Sequence, residues 1–476
     1  MKSLKALFVL ALGLVLVTPA FAETQNVKVS GSIDAYGIVR DNYDLQKNDR
    51  AQTASAILGG PTALGTNVTK SDGDQYFMGV TQVEVSADLT DNVSTVVNLV
   101  NQRDWNASQS DTAASTNNTA NEFDVTLDLA YVQMKEIFYS PLTLTIGRQD
   151  IWFGRGFIIG NNNRAWDPQG TIQANEYSAT TAFDAIRATL DFNPWTIDMI
   201  YSNTDENHTG PEDDITLFGT NVNYKFAEYN AVAEGYWFSE IDRGTLATVN
   251  AATVAPAVGA ISSGETRSND THTIGGRVQF DPISQITLGA ELAYQFGDYQ
   301  VTVLTPERDR DAWGLDIFGT YRWDYTWKPE LTLEYISFSG ESNVTAGASA
   351  DYGAWNGLYR GRFWTAYSDF REFVYGTSDA VDQSAATNNQ TFQVKGAIKP
   401  LEDLLLEASY SYITTDETIA GRNDEIGSEI DLQATYDYTE DVSFGLLTAW
   451  FFPGDYYLGG QDDTATDVVS SVKVTF

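Results

Sequence analysis

Period-two alternation recurs along almost the whole chain, and it restricts the fold more than any other feature. It is plain in "VKVSGSIDAYGIV", "FDVTLDLAYVQM", "LTLTIGRQDI", "DITLFGTNVNYKF", "ITLGAELAYQF", "LDIFGTYRW" and "IDLQATYDY". Such spacing sends successive side chains to opposite faces of a β-strand, and helical spacing is nowhere convincing. Two classes of connection take turns between these segments. Short ones lie at "LTDN" (89–92), "FNPW" (192–195), "FAEY" (226–229), "DPIS" (281–284), "YTWKP" (325–329), "KPLED" (399–403) and "YTED" (438–441), with a slightly longer one at 137–141. Long polar ones cover about 42–73, 105–120, 153–180, 203–212, 242–269, 299–310, 340–387, 415–425 and 453–463. Tight turns on one rim and long loops on the other are the asymmetry of a bacterial outer-membrane barrel. The expected fold is therefore all-β, a transmembrane antiparallel barrel of about 18 strands. An even count returns both ends to one side, so "FREFVYGT" (370–377) is left inside the longest loop.

The last segment, "VVSSVKVTF", alternates to the final residue, with Val468, Val472, Val474 and Phe476 opposite Ser471, Lys473 and Thr475. A strand ending this way is expected to pair with the first one, near 27–40, because a bilayer tolerates no unpaired backbone edge. At the other end, Lys2 and Lys5, the apolar run 6–17 and the finish Ala20-Phe21-Ala22 have the plan of a cleaved signal peptide. The expected organisation is a signal peptide over 1–22 and a single barrel over 23–476. Beyond residue 22 no apolar run reaches the ~20 residues of a membrane helix. With no cysteines, neither disulfides nor thiolate sites hold the fold.

Removing Lys2 and Lys5 leaves 26 Lys and Arg against 65 Asp and Glu, a net charge of −39. So acidic a chain is not built for nucleic acid, whose phosphates need clustered cations. Nor is it a disordered acidic chain, since 13% of its residues are aromatic. Much of the acid is expected on outer loops, where divalent ions would bridge it to lipopolysaccharide.

Parity assigns faces. In "FDAIRATLDF", Asp184, Ile186, Ala188, Leu190 and Phe192 share the lipid side, and Arg187, Thr189 and Asp191 point inward. Ile274, Val278 and Phe280 likewise send Arg277 to the lumen. The same counting turns Lys28, Asp34, Arg40, Glu84, Asp124, Asp128, Lys225, Glu291, Arg322, Glu334, Lys395, Glu407, Glu429, Asp431 and Lys473 inward. A charge facing lipid at mid-depth would cost about 2–4 kcal/mol. Inward charges can form a cross-strand salt network that stiffens the wall, or a constriction that selects a permeant. Arg148 resists the count: it shares parity with Leu142, Leu144 and Ile146, so either a bulge intervenes or it lies above the lipid. Trp195, Trp323 and Trp327 fall at short turns, and Trp237, Trp313 and Trp450 at long-loop ends, as two interfacial girdles require. Trp105, Trp152, Trp166, Trp355 and Trp364 lie in or beside long loops, where they would stack on sugar rings or pack the loops.

An enzyme built on such a barrel would need a base. Only two histidines exist, His272 on the lipid-side parity and His208 in the loop "TDENHTG". No catalytic residues are assigned. The acidic runs "ERDRD" (307–311) and "GPEDD" (210–214) lack the spacing of a calcium loop, so no metal or cofactor is expected.

The stretch "IGRQDIWFGRGFIIGNNNRAWDP", followed by "TTAFDAIRATL", resembles the alginate export family. So do "ELAYQFGDY" (291–299), "LEYISFSGESN" with "WNGLYRGRFW" (333–364), and the segment 426–456, all in the family's order. The resemblance implies a monomeric eighteen-stranded barrel of the bacterial outer membrane, passing an anionic polysaccharide through an arginine-lined pore. It points to Arg148 and Arg187 as pore residues, with Asp184 beside the latter. Parity adds Arg277 and Arg322 to the lumen, with Glu291 and Lys225. The sugar-stacking candidates are Trp152, Trp166 and Trp355. The expected function is passive, selective passage of a polysaccharide or other anionic solute, with a general or small-solute porin as the alternative.

Overall fold

Strand formation follows the alternation closely. The computed structural model describes residues 25–42, 45, 74–105, 125–162, 177, 179–205, 214–242, 269–300, 307–341, 351–361, 365–366, 387–418, 422–457 and 461–476. The signal-peptide stretch, 370–377, Asp124, Trp166, His208 and Trp364 lie outside them. The first nine strands are β1 (Gln25–Asp41), β2 (Asp74–Thr90), β3 (Val93–Asp104), β4 (Thr126–Met134), β5 (Leu142–Gln149), β6 (Phe183–Asp191), β7 (Trp195–Asp205), β8 (Ile215–Phe226) and β9 (Ala231–Asp242). The rest are β10 (Asn269–Ile283), β11 (Ile286–Tyr299), β12 (Arg308–Arg322), β13 (Glu330–Phe338), β14 (Asn389–Leu401), β15 (Leu404–Thr414), β16 (Glu425–Asp437), β17 (Val442–Pro453) and β18 (Ala465–Thr475). Each pairs antiparallel with its neighbours in sequence, and β1 pairs with both β2 and β18. Ser32 faces Thr475 and Asp41 faces Thr466 across the seam, and Gly31 and Phe476 exchange backbone hydrogen bonds of 2.9 and 3.0 Å. The sheet is closed, and β18 is its last stave.

The outside is apolar. Val29, Ile33, Val83, Val85, Leu292 and Leu333 are exposed, alternating with inward Asp34, Glu84, Glu291 and Glu334. Aromatic pairs mark the short-turn rim, Trp195 against Tyr224 and Tyr321 against Trp323, both 4.6 Å between ring centres. Phe218 and Trp237 meet toward the other rim. Among the described residues no helix is long and apolar enough to cross a membrane.

Two local irregularities shape the region beside the site. In β4, Leu127 faces Leu99 while Leu129 faces Asn98, so Asp128 is an extra, bulged residue and Leu129 turns inward. In β5, Gly147 has φ +121°, and a Cβ there would run into the Ala130 carbonyl oxygen of β4. A Gly147→Ala variant is expected to lose about 2 kcal/mol, seen as a lower midpoint of unfolding in detergent by urea titration. An unchanged midpoint would mean that the strand relaxes there freely.

Candidate functional site

A barrel of this size with a polar lining would be an open tube, but apolar residues on its inner wall give two loops something to pack against. Phe183, Leu217, Phe238, Ile336 and Phe338 all face inward, and all are buried. Against them lie Phe153, Phe157, Ile158 and Ile159 from the β5–β6 loop, and Trp355, Leu358 and Tyr359 from the β13–β14 loop. The two loops are joined by backbone. Gly160 donates to Tyr359 (2.8 Å), Tyr359 to Ile158 (3.1 Å) and Gly361 to Gly156 (2.9 Å). The result is a shelf inside the lumen along β6 to β13, held by burial of large side chains, each contributing roughly 1.5–3 kcal/mol.

Arg155 projects from this shelf between two glycines in left-handed conformation, Gly154 (φ +54°) and Gly156 (φ +74°). Its guanidinium forks to Asp316 (2.7 Å) on β12 and Glu334 (2.9 Å) on β13, and lies 3.8 Å over the Phe318 ring. Three other inward arginines each have a carboxylate. Arg187 meets Asp198 at 2.8 Å, Arg277 meets Glu234 at 2.6 Å, and Arg322 meets Glu330 at 2.8 Å. Tyr236 donates to Glu291 at 2.9 Å, next to Arg277 in register, and Lys395 meets Glu407 at 2.8 Å. Beside Arg155 a cavity of about 480 Å³ opens along β12 to β17, lined by Glu334, Lys395, Glu407 and Asp431 together with threonines and glutamines.

Arg187, Arg277, Arg322, Glu291 and Lys225 therefore lie on the inward face, Lys225 at its short-turn rim beside Pro194. Arg148 and Asp184 do not. The register of β5 is unbroken on both sides, so Arg148 points outward with Ile146, and it pairs with Asp184 on β6 at 3.1 Å. Their side chains are 25% and 66% exposed at the long-loop rim, where an ion pair above the hydrocarbon avoids the cost of burial in lipid. Trp355 is corrected too: it is 1% exposed and wedged against Phe157 and Phe338, which makes it the core of the shelf and not a sugar platform. Trp105 packs on Phe77 of the outer face.

Trp152 is different. It is 50% exposed, its indole N–H donates to the Gly154 carbonyl (3.1 Å), and its ring rests on Gly156, Gly160 and Gly361, positions where any Cβ would strike it. Three missing side chains hold one ring face, and half of the residue stays open.

Sequence reasoning missed Arg155. Its signal was the glycine on either side in "FGRGF", which forces a tight projecting turn. Ser239 and His272 are 2.7 Å apart, but Ser239 is completely buried on the outward-facing side of β9, so the contact ties two strands.

The model of the alginate export family matches residues 62–471. The chain belongs to the alginate export family. A search of curated proteins gives no match. Among solved structures, this alginate export family member is similar to OccAB2 of Acinetobacter baumannii (9% identity, TM-score 0.55), covering 96% of this chain and 99% of that one. It is also similar to OpdO of Pseudomonas aeruginosa (8% identity, TM-score 0.54; 95% and 97% covered) and to OccAB1 of Acinetobacter baumannii (12%, 0.51; 96% and 99%). At such identities the likeness is one of fold: a closed outer-membrane β-barrel.

Proposed function

We propose that this alginate export family member is a passive channel of the bacterial outer membrane, surrounded by lipid and lipopolysaccharide, that conducts as a monomer and passes a carbohydrate chain. The observation that carries this is the shelf: two loops pack together against the inner wall and hold Trp152 half open on three glycines, and the cavity beside Arg155 is lined by charged and hydroxyl-bearing side chains. Sugar rings have an apolar face for an indole and equatorial hydroxyls for carboxylates, threonines and glutamines.

The competing reading, a general small-solute porin, differs in what blocks it. In planar bilayers the reconstituted protein should conduct, and saccharide oligomers should interrupt the current. Replacing Trp152 by alanine is expected to weaken that block about fivefold, the equivalent of about 1 kcal/mol of stacking. Conduction that ignores every saccharide favours the small-solute porin, and no conduction at all rules out both.

A further inference from the structure

The inward cations differ in how firmly their counterions hold them, and the difference picks out one residue. Arg155, Arg187 and Arg277 are paired with carboxylates that are almost fully buried: the Asp316, Glu334, Asp198 and Glu234 side chains are 1%, 3%, 6% and 5% exposed. Taking the guanidinium from such a partner would leave a buried charge uncompensated, so these arginines are fixed parts of the wall. Lys395 on β14 is in the opposite situation. Its side chain is 43% exposed and that of Glu407, 2.8 Å away on β15, is 19% exposed, so water reaches both members of the pair. So open a pair adds little net stability, and Glu407 is readily hydrated when the ammonium turns elsewhere. Arg322 is just as open but is fastened twice, through Nε to Glu330 and through Nη1 to the Thr287 hydroxyl, both at 2.8 Å. Lys225 stands on β8 at the short-turn rim, away from the cavity on β12 to β17. Lys395 lines that cavity, level with Thr332 and two residues nearer the short turns than Glu334. The Thr332 hydroxyl lies 2.8 Å from that of Thr320, so hydroxyls flank the ammonium on one side. An ammonium on a flexible four-carbon stem can turn its donors to a carboxylate moving past it, which a clamped guanidinium cannot.

We infer that Lys395 is the specificity-determining cation of the channel: its ammonium exchanges Glu407 for the carboxylate of a passing acidic sugar, while the threonine hydroxyls beside it meet the hydroxyls of the ring. This deepens the carbohydrate-channel reading and rests on it, naming the group that reads the permeant's charge. The test is block of single-channel current in planar bilayers by oligogalacturonates and by uncharged cello-oligosaccharides of equal length. The unaltered protein should be blocked by the oligogalacturonates at about tenfold lower concentration. Lys395→Gln should abolish that preference, and Lys395→Arg, which keeps the charge, should retain most of it. Glu407→Gln frees the ammonium and should enlarge the preference about threefold. The double variant Lys395→Gln with Glu407→Gln leaves the net charge of the lumen as it was and should still lose the preference, a result that the general field of the wall would not produce. A preference for oligogalacturonates that survives in the double variant overturns the inference, as does an unaltered pore that treats the two saccharides alike. A pore that no saccharide blocks overturns the carbohydrate reading and this role of Lys395 with it.

Discussion

With Arg155 replaced by alanine, the single-channel conductance is expected to rise about twofold, and open-channel noise to rise with it. Arg155, in the β5–β6 loop, reaches across to β12 and β13 by charge, through Asp316 and Glu334. Its side chain is 19% exposed and its partners are almost fully buried, so truncation removes a countercharge from two carboxylates in a poorly solvated place. The cost is about 3–5 kcal/mol. The closed ladder of strands does not depend on this contact, so the expense should be relieved locally, by the tip of the shelf swinging off the wall and by water entering between the two acids. Both changes widen the bore. Arg155→Lys keeps the charge but lacks the planar fork that serves two acceptors at once, so its conductance should fall between the two. Unaltered conductance in Arg155→Ala would mean that the shelf is held by its apolar contacts alone.

Those apolar contacts explain which parts of the molecule were legible in the sequence. Barrel, strand count and rim asymmetry were readable because alternation and loop length are local properties, repeated eighteen times in the finished sheet. The shelf was not, because it violates the rule that made the barrel readable. Phe183, Phe238 and Phe338 are large apolar residues on the inward side of their strands, and parity counting treats an apolar face as lipid. "FGRGFIIG" and "GAWNG" look like polar-loop furniture with stray hydrophobics until both are brought to the same wall. Arg148 shows the opposite case. Its parity was right and the family likeness misleading, since Gly147 bends the backbone without shifting the register. The bulge at Asp128 left no trace, because Leu127 and Leu129 satisfy a simple alternation equally well. Carboxylate partners of the lumen arginines were partly visible: parity put Glu334 inward but said nothing of the distances that decide whether an arginine is available.

Trp355→Ala should have the largest effect on conduction of any single substitution in the shelf. The indole is 1% exposed and packs against Phe157 and Phe338, and Gly314 of β12 makes room for it: a Cβ there would come within 3.2 Å of the indole and 3.0 Å of the Phe157 ring. Losing it leaves a cavity and costs about 3–5 kcal/mol. That cost exceeds what backbone hydrogen bonds between two loop segments return, whereas it is small beside the summed pairing of eighteen strands. The shelf, not the barrel, should therefore give way. Conductance is expected to increase about threefold, the heat-modifiable mobility of the folded barrel on SDS gels to stay unchanged, and saccharide block to weaken along with it. The last effect follows because Gly361, one of the three glycines beneath Trp152, belongs to the same loop as Trp355. Trp355→Phe, which keeps most of the ring volume, should restore both readouts in large part. Should Trp355→Ala instead lower the unfolding temperature of the barrel while conductance stays put, the shelf is a brace of the wall and the constriction must lie elsewhere.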